Sequence, residues 1–132
     1  MGERALELMC RRALGRAPFG TPLAEQSLIG DWVGRSRIAI DQARLLVLHA
    51  ARKIDRQGTK AARREIAEVK VAALEAAWTT LDRAIQVHGA MGVSDDTPLA
   101  RMWALTRALR IADGPDEVHL RSLARREFKQ YR

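Results

Sequence analysis

The sequence predicts an all-α protein, an up-and-down helical bundle with two long central helices. Three observations carry that expectation. From Ile29, the residues Val33, Ser36, Ile40, Ala43, Val47, Ala50 and Ile54 follow at alternating steps of four and three, the spacing of a helix lying almost parallel to its neighbours. No run combines strict alternation with β-branched residues, as a strand would. Glycine and proline gather at a few places and leave long stretches between them uninterrupted.

In chain order, Glu3 to about Leu14 is amphipathic and forms a first helical segment. Gly15 to Pro22 holds two Pro and two Gly in eight residues and breaks it. The long helix follows, from about Leu23 to Gln57. Gly58-Thr59 punctuates the chain, with Thr59 as candidate N-cap of the next helix. That helix, about Lys60 to His88, carries two apolar stripes. Val71, Leu74, Trp78, Leu81 and Ile85 form one, and Ile66, Val69, Ala73, Ala77 and Ala84 the other. A helix apolar on two sides is covered on two sides, and in a chain this short another subunit could supply the second cover. Gly89 and Gly92 end it. Thr97 then caps and Pro98 starts a fourth helix reaching about Ala112. A fifth begins near Pro115, with Asp116 and Glu117 in its first turn, and runs towards Lys129, whose charge suits a C-terminal end.

The 132 residues suffice for one domain with a core. Apolar residues at 47% and charged residues at 30% describe a globular, ordered chain. Cys10 is the single cysteine, so no intrachain disulfide forms. No window has the length and apolarity of a signal peptide or a membrane span, and the expected location is intracellular. The net charge of +7 raises nucleic acid as a partner. Against it, most cations alternate with acids, as in Arg63-Arg64-Glu65, with little interleaved aromatic character for base stacking. No nucleic-acid partner is expected. No set of His, Cys or carboxylates has metal-ligand spacing. His49 and the three tryptophans read as packing residues, and Asp95-Asp96 as turn chemistry.

Three motifs stand out from this background. Arg16-Ala17-Pro18-Phe19-Gly20 is followed by Gln26. Gln86-Val87-His88-Gly89-Ala90-Met91-Gly92 closes the third helix. Ala112-Asp113-Gly114-Pro115-Asp116-Glu117-Val118-His119 spans the turn between the fourth and fifth helices. Taken alone, the glycines are C-caps and Asp113 is an acid at a helix end before a tight turn. Together and in this order they resemble the C-terminal helical domain of the FAD-dependent acyl-CoA dehydrogenases, with R-x-x-F-G, Q-x-x-G-G-x-G and E-G-T. Ala-Asp-Gly-Pro-Asp-Glu-Val-His is similar to a branch with Asp in place of Glu. The resemblance covers essentially the whole chain, entered partway through that domain's first helix. The family's N-terminal helical and middle β domains are not among these residues.

The resemblance implies that Arg16 contacts the flavin pyrophosphate, that Phe19 packs near the adenosine part and that Gln26 belongs to the same site. It implies that Gln86, with Gly89, Ala90 and Gly92, adds a second clasp on that FAD, which usually belongs to the neighbouring subunit of a dimer or tetramer. A planar guanidinium gives paired, charge-assisted bonds to phosphate, and glycine lets a backbone approach closely. Asp113 stands at the position of the base that removes the α-proton of an acyl-CoA thioester while the β-hydrogen leaves as hydride to FAD. Burial beside an acyl chain would tune such a base, and Gly114 would let substrate pass. Pro115 and Glu117 replace a Thr and a frequent Gln around FAD, and Ala90 replaces a frequent Gly. The arginine of the family's Y-R-D-A is absent near Trp103-Ala104-Leu105-Thr106. The implied partners are an acyl-CoA, an electron-transfer flavoprotein or similar acceptor, and further copies of the chain, in the cytoplasm or an organelle matrix. The segment alone is expected to be inactive. The rival expectation is a non-catalytic helical oligomerisation module derived from the family.

Overall fold

A computed structural model describes residues 1–132, and all its regular structure is helical. α1 (Gly2–Gly15) leads through two 3-10 turns, Pro18–Gly20 and Leu23–Glu25, into α2 (Ser27–Gln57). α3 (Arg63–His88) runs into a 3-10 turn, Gly89–Val93, and α4 (Leu99–Leu109) and α5 (Asp116–Lys129) follow. At 31 and 26 residues, α2 and α3 are the two long helices. α3 is the hub, packing against each of the other four.

Cross-helix contacts fix the directions. Gly2 lies against Ile40 of α2 and Ala77 of α3. Lys53 of α2 reaches Glu65 of α3 at 2.7 Å, and Arg83 donates to Ser36 at 3.1 Å, so α2 and α3 are antiparallel. α1 returns by a short loop to the start of α2, and therefore runs with α3. The core gathers Ala5, Leu6, Met9 and Ala13 of α1 with Ile29, Ile40, Leu81, Ala84, Val87 and Leu99. Of these, Ile29, Ile40, Leu81 and Ala84 lie on the stripes that the helical period predicts.

Several boundaries and caps differ from the sequence expectation. The long helix starts at Ser27, because Gln26 is extended after the 3-10 turn and its carbonyl accepts the first helical N–H groups. Gly58, at φ 79°, opens a turn that continues to Ala62, so α3 starts at Arg63 and Thr59 caps nothing. Thr97 does not cap α4 either. Its hydroxyl donates to the Met91 carbonyl at 3.3 Å, and Pro98 occupies the N-cap position. α4 ends at Leu109, three residues early, because the Asp116 N–H returns to the Arg110 carbonyl at 3.2 Å and curls the chain. Val47 and His49 are exposed, not packed. α1 begins level with Ile40, so beyond that point α2 has only α3 to cover it. His88 is a satisfied core histidine, its Nδ1 2.8 Å from the Ala84 carbonyl. Ser94 and Asp96 bond each other within the expected turn.

Glu3 ties α1 to α2. It accepts from Arg37 at 2.8 Å and from Arg44, and Arg37 also holds Asp41 at 3.0 Å. The Arg37 bond, with Arg44 assisting against a smaller opposing desolvation, lowers the Glu3 carboxyl to about 2 from an ordinary 4.5. A depressed carboxylate contributes stability that is present above its unfolded value and lost as pH falls through its folded one. Glu3→Gln should therefore flatten the acid limb of Tm against pH between 4.5 and about 2. Solvent screening of this half-exposed pair keeps the effect below about 1 kcal/mol. An unchanged acid limb would remove Glu3 from the account.

Candidate active site

The motif residues fall into two groups. The first lies at the end of the bundle where α1 and α3 finish and α2 starts. Arg16 follows α1, exposed and free of any ion pair. Phe19 holds φ 58° inside its 3-10 turn and projects its whole side chain into solvent. The Leu23 N–H donates to the Arg16 carbonyl at 2.9 Å, which folds the loop back on itself. Gln26 is exposed on the same loop. Gln86, on the last turn of α3, borders an open cleft with Trp32, Trp78 and Arg83. Gly89 ends α3 at φ 64° and ψ −140°, a conformation essentially reserved for glycine, and Ala90 is exposed beside it.

The second group is the turn between α4 and α5. Asp113 and Gly114 both adopt positive φ, 54° and 96°. The Asp113 carboxylate is exposed and takes part in no hydrogen bond or ion pair, so it does not cap α5. His119 faces the turn from α5, its Nε2 3.4 Å from the Asp113 carbonyl. A Cβ on Gly114 would stand 3.2 Å from the same nitrogen. Pro115 takes the N-cap position of α5, and Glu117 is exposed in its first turn.

Sequence reasoning missed what holds this turn. Asp116, read only as a first-turn acid, is 5% exposed. Arg110 Nε donates to its Oδ2 at 2.6 Å, and Lys70 Nζ lies 3.8 Å from its Oδ1. Lys70 also donates to the Leu109 carbonyl at 2.8 Å. The Arg110 guanidinium lies 5.5 Å from the centroid of Trp78, whose ring packs on Trp103 at 5.7 Å. A small cleft of about 160 Å³ opens here between Trp78, Arg110, Pro115 and Glu117. The only sequence signal was an Arg and an Asp six apart across a helix break.

Along α3, Gln86 is eight residues from Trp78 and sixteen from Lys70. At 1.5 Å per residue, the two groups are separated by about 12 to 24 Å. The structure thus brings Arg16, Phe19, Gln26, Gln86, Gly89 and Ala90 to one end of the bundle. It gathers Asp113, Gly114, Pro115 and Glu117 on another part.

No helix is long and apolar enough to cross a membrane. The family described as acyl-CoA dehydrogenase, C-terminal domain, matches residues 1–128. The chain is 54% identical to acyl-CoA dehydrogenase family member 11 of Rattus norvegicus over 129 residues, 98% of this chain and 17% of that protein. It is 56% identical to "Probable acyl-CoA dehydrogenase FadE2" of Mycobacterium tuberculosis over 128 residues, 97% of this chain and 31% of that one. Butyryl-CoA dehydrogenase from Megasphaera elsdenii superposes with a TM-score of 0.88 at 28% identity, over 96% of this chain and 33% of that structure. The chain spans under a third of the length of these two curated relatives. With the helices in the expected order and the match running from residue 1 to residue 128, the chain belongs to the acyl-CoA dehydrogenase family, by its C-terminal helical domain.

Proposed function

We propose that this chain is the FAD-clasping, base-bearing domain of an enzyme that removes the α- and β-hydrogens of an acyl-CoA thioester. In this reading it acts together with an N-terminal helical and a middle β domain. The observation that carries it is the free carboxylate of Asp113, exposed and unbonded on a left-handed backbone beside Gly114. Such a group is fixed at its Cα yet open to a ligand. The α-carbon's C–H bond breaks towards Asp113, its electron pair forms the new double bond, and the β-hydrogen departs with the pair of its own bond. FAD, when bound, supplies the acceptor for that hydride. Gly114 offers the thioester a close approach without a side chain.

The residues at the α1–α2 end fit an anionic dinucleotide. An unpaired guanidinium at Arg16, an aromatic ring in solvent at Phe19 and amides at Gln26 and Gln86 all face outward together. The Phe19 ring stands wholly in solvent, where an aromatic base could stack on it. Gly89 and Ala90 leave the neighbouring backbone uncrowded. Pro115 lacks an N–H, so only its ring and carbonyl are available to a flavin, and Glu117 brings a negative charge where an amide is frequent. In this reading, as the resemblance implies, this end serves the FAD of a neighbouring copy, so that the flavin site is shared across an interface between copies of the chain. A dimer or tetramer follows, and the exposed Ile38, Leu45 and Leu48 on α2 are suited to such an interface. Electrons would pass on to an electron-transfer flavoprotein or similar acceptor, in the cytoplasm or an organelle matrix.

In the assembled enzyme, Arg16→Ala should weaken FAD retention by about 10- to 100-fold, the range for loss of a charge-assisted phosphate bond. Flavin fluorescence on dilution measures it, and wild-type retention would sink the clasp. A second reading, a non-catalytic oligomerisation module, is favoured by Pro115 and by the apolar outer face of α2. Under it the same variant changes neither flavin content nor assembly.

A further inference from the structure

We infer that Arg110 and Asp116 are positioning residues, a clamp that aims the Asp113 carboxylate by fixing the turn that carries it. The inference rests on the reading of Asp113 as base. Nothing bonds the Asp113 side chain, so its direction is set by its own backbone. That backbone is left-handed at a residue with a Cβ, a conformation that aspartate visits at some cost and holds steadily where its surroundings favour it.

The support comes from both ends of the turn. The Asp116 N–H donates to the Arg110 carbonyl at 3.2 Å, and the Arg110 side chain returns to the Asp116 carboxylate at 2.6 Å. Two bonds between the same two residues close a ring around Ile111 to Pro115. The ring is then hung from α3. Lys70 takes the Leu109 carbonyl on one side and approaches Asp116 on the other, and Trp78 lies under the Arg110 guanidinium. Asp116 is buried and Arg110 and Lys70 are largely covered, so the ion pair is shielded from water. A surface pair would not hold a backbone; a desolvated one can. Breaking it leaves the turn free to relax towards the right-handed region, which would swing the carboxylate away from the α-carbon. Misplacement of a reacting group by about 1 Å can cost on the order of 100-fold in rate.

The test uses the assembled enzyme with a straight-chain acyl-CoA thioester. Arg110→Gln and Asp116→Asn are each made alone and in an Asp113→Asn background. Three quantities are read: kcat and KM separately, exchange of the substrate α-hydrogen with D2O, and Tm. The clamp predicts a fall of about 10- to 100-fold in kcat and exchange, with KM moving less than about threefold. It also predicts that Arg110→Gln causes no further fall in exchange once Asp113 is Asn, while lowering Tm equally in both backgrounds. A purely structural role predicts losses that track the folded fraction and recur in both backgrounds, and that result overturns the clamp. Should Arg110→Gln fail to fold, Lys70→Met, which removes only the outer tether, must show the same non-additivity with a smaller fall, or the clamp is wrong. If Asp113→Asn itself leaves exchange at the wild-type rate, the base reading falls and the clamp with it.

Discussion

Asp113→Asn in the assembled enzyme is expected to slow α-proton abstraction by about 100- to 10,000-fold, the range for loss of a positioned general base. Asparagine is the informative replacement. It matches aspartate in size and, like aspartate, tolerates the left-handed region that this position adopts at φ 54°. The turn should therefore survive and Tm should stay within about 1 °C, because the carboxylate holds no partner whose loss would be felt. Alanine would confound the result by adding backbone strain. Asp113→Glu keeps the base and lengthens it by one methylene, so it should retain more exchange than the Asn variant. Wild-type α-hydrogen exchange in Asp113→Asn would show that another group takes the proton.

Gly92→Ala should be the most damaging single methyl in the domain. A Cβ there would lie 2.5 Å from the Ile85 carbonyl oxygen and 2.9 Å from Ile85 Cα. Both are backbone atoms of α3, so no rotamer change relieves the overlap, and the Gly89–Val93 turn must lift off the helix end. The cost should reach about 3 kcal/mol, the upper part of the overpacking range. In a domain of this size that lowers Tm by about 10 °C. Gly34→Ala is the control. It meets nothing within 4 Å on the exposed side of α2 and should stabilise by up to about 1 kcal/mol through helix propensity. Equal Tm values for the two variants would mean that the turn yields without cost.

These glycines also divide what the motif does. Gln-x-x-Gly-Ala-x-Gly resembles a phosphate clasp in sequence. In the structure Gly92 is a buried packing glycine and Gly89 a conformational one, and of the motif's named positions Gln86, Gly89 and Ala90 face outward. A motif states which residues occur together, and only packing separates the residues that face a ligand from those that let the chain close.

The sequence by itself determined the helical class, the five helices in order and the spacing of the three motifs. Each depends on local periodicity or on glycine and proline, which act within a few residues. Tertiary structure decided the rest. Thr59 and Thr97 had the chemistry of N-caps, but the chain reversal at Gly58 and a hydrogen bond to Met91 took them elsewhere. Val47 obeyed the helical pattern and His49 sat among apolar neighbours in sequence, yet α1 does not extend over that part of α2. Lys70 and Asp116 are 46 positions apart and meet because α4 and α5 both fold onto α3. Their encounter buries charge beside Trp78 and, with Arg110, ties the turn that carries Asp113 to α3. No periodicity encodes such a contact, because its energy exists only once water has been excluded from between the helices.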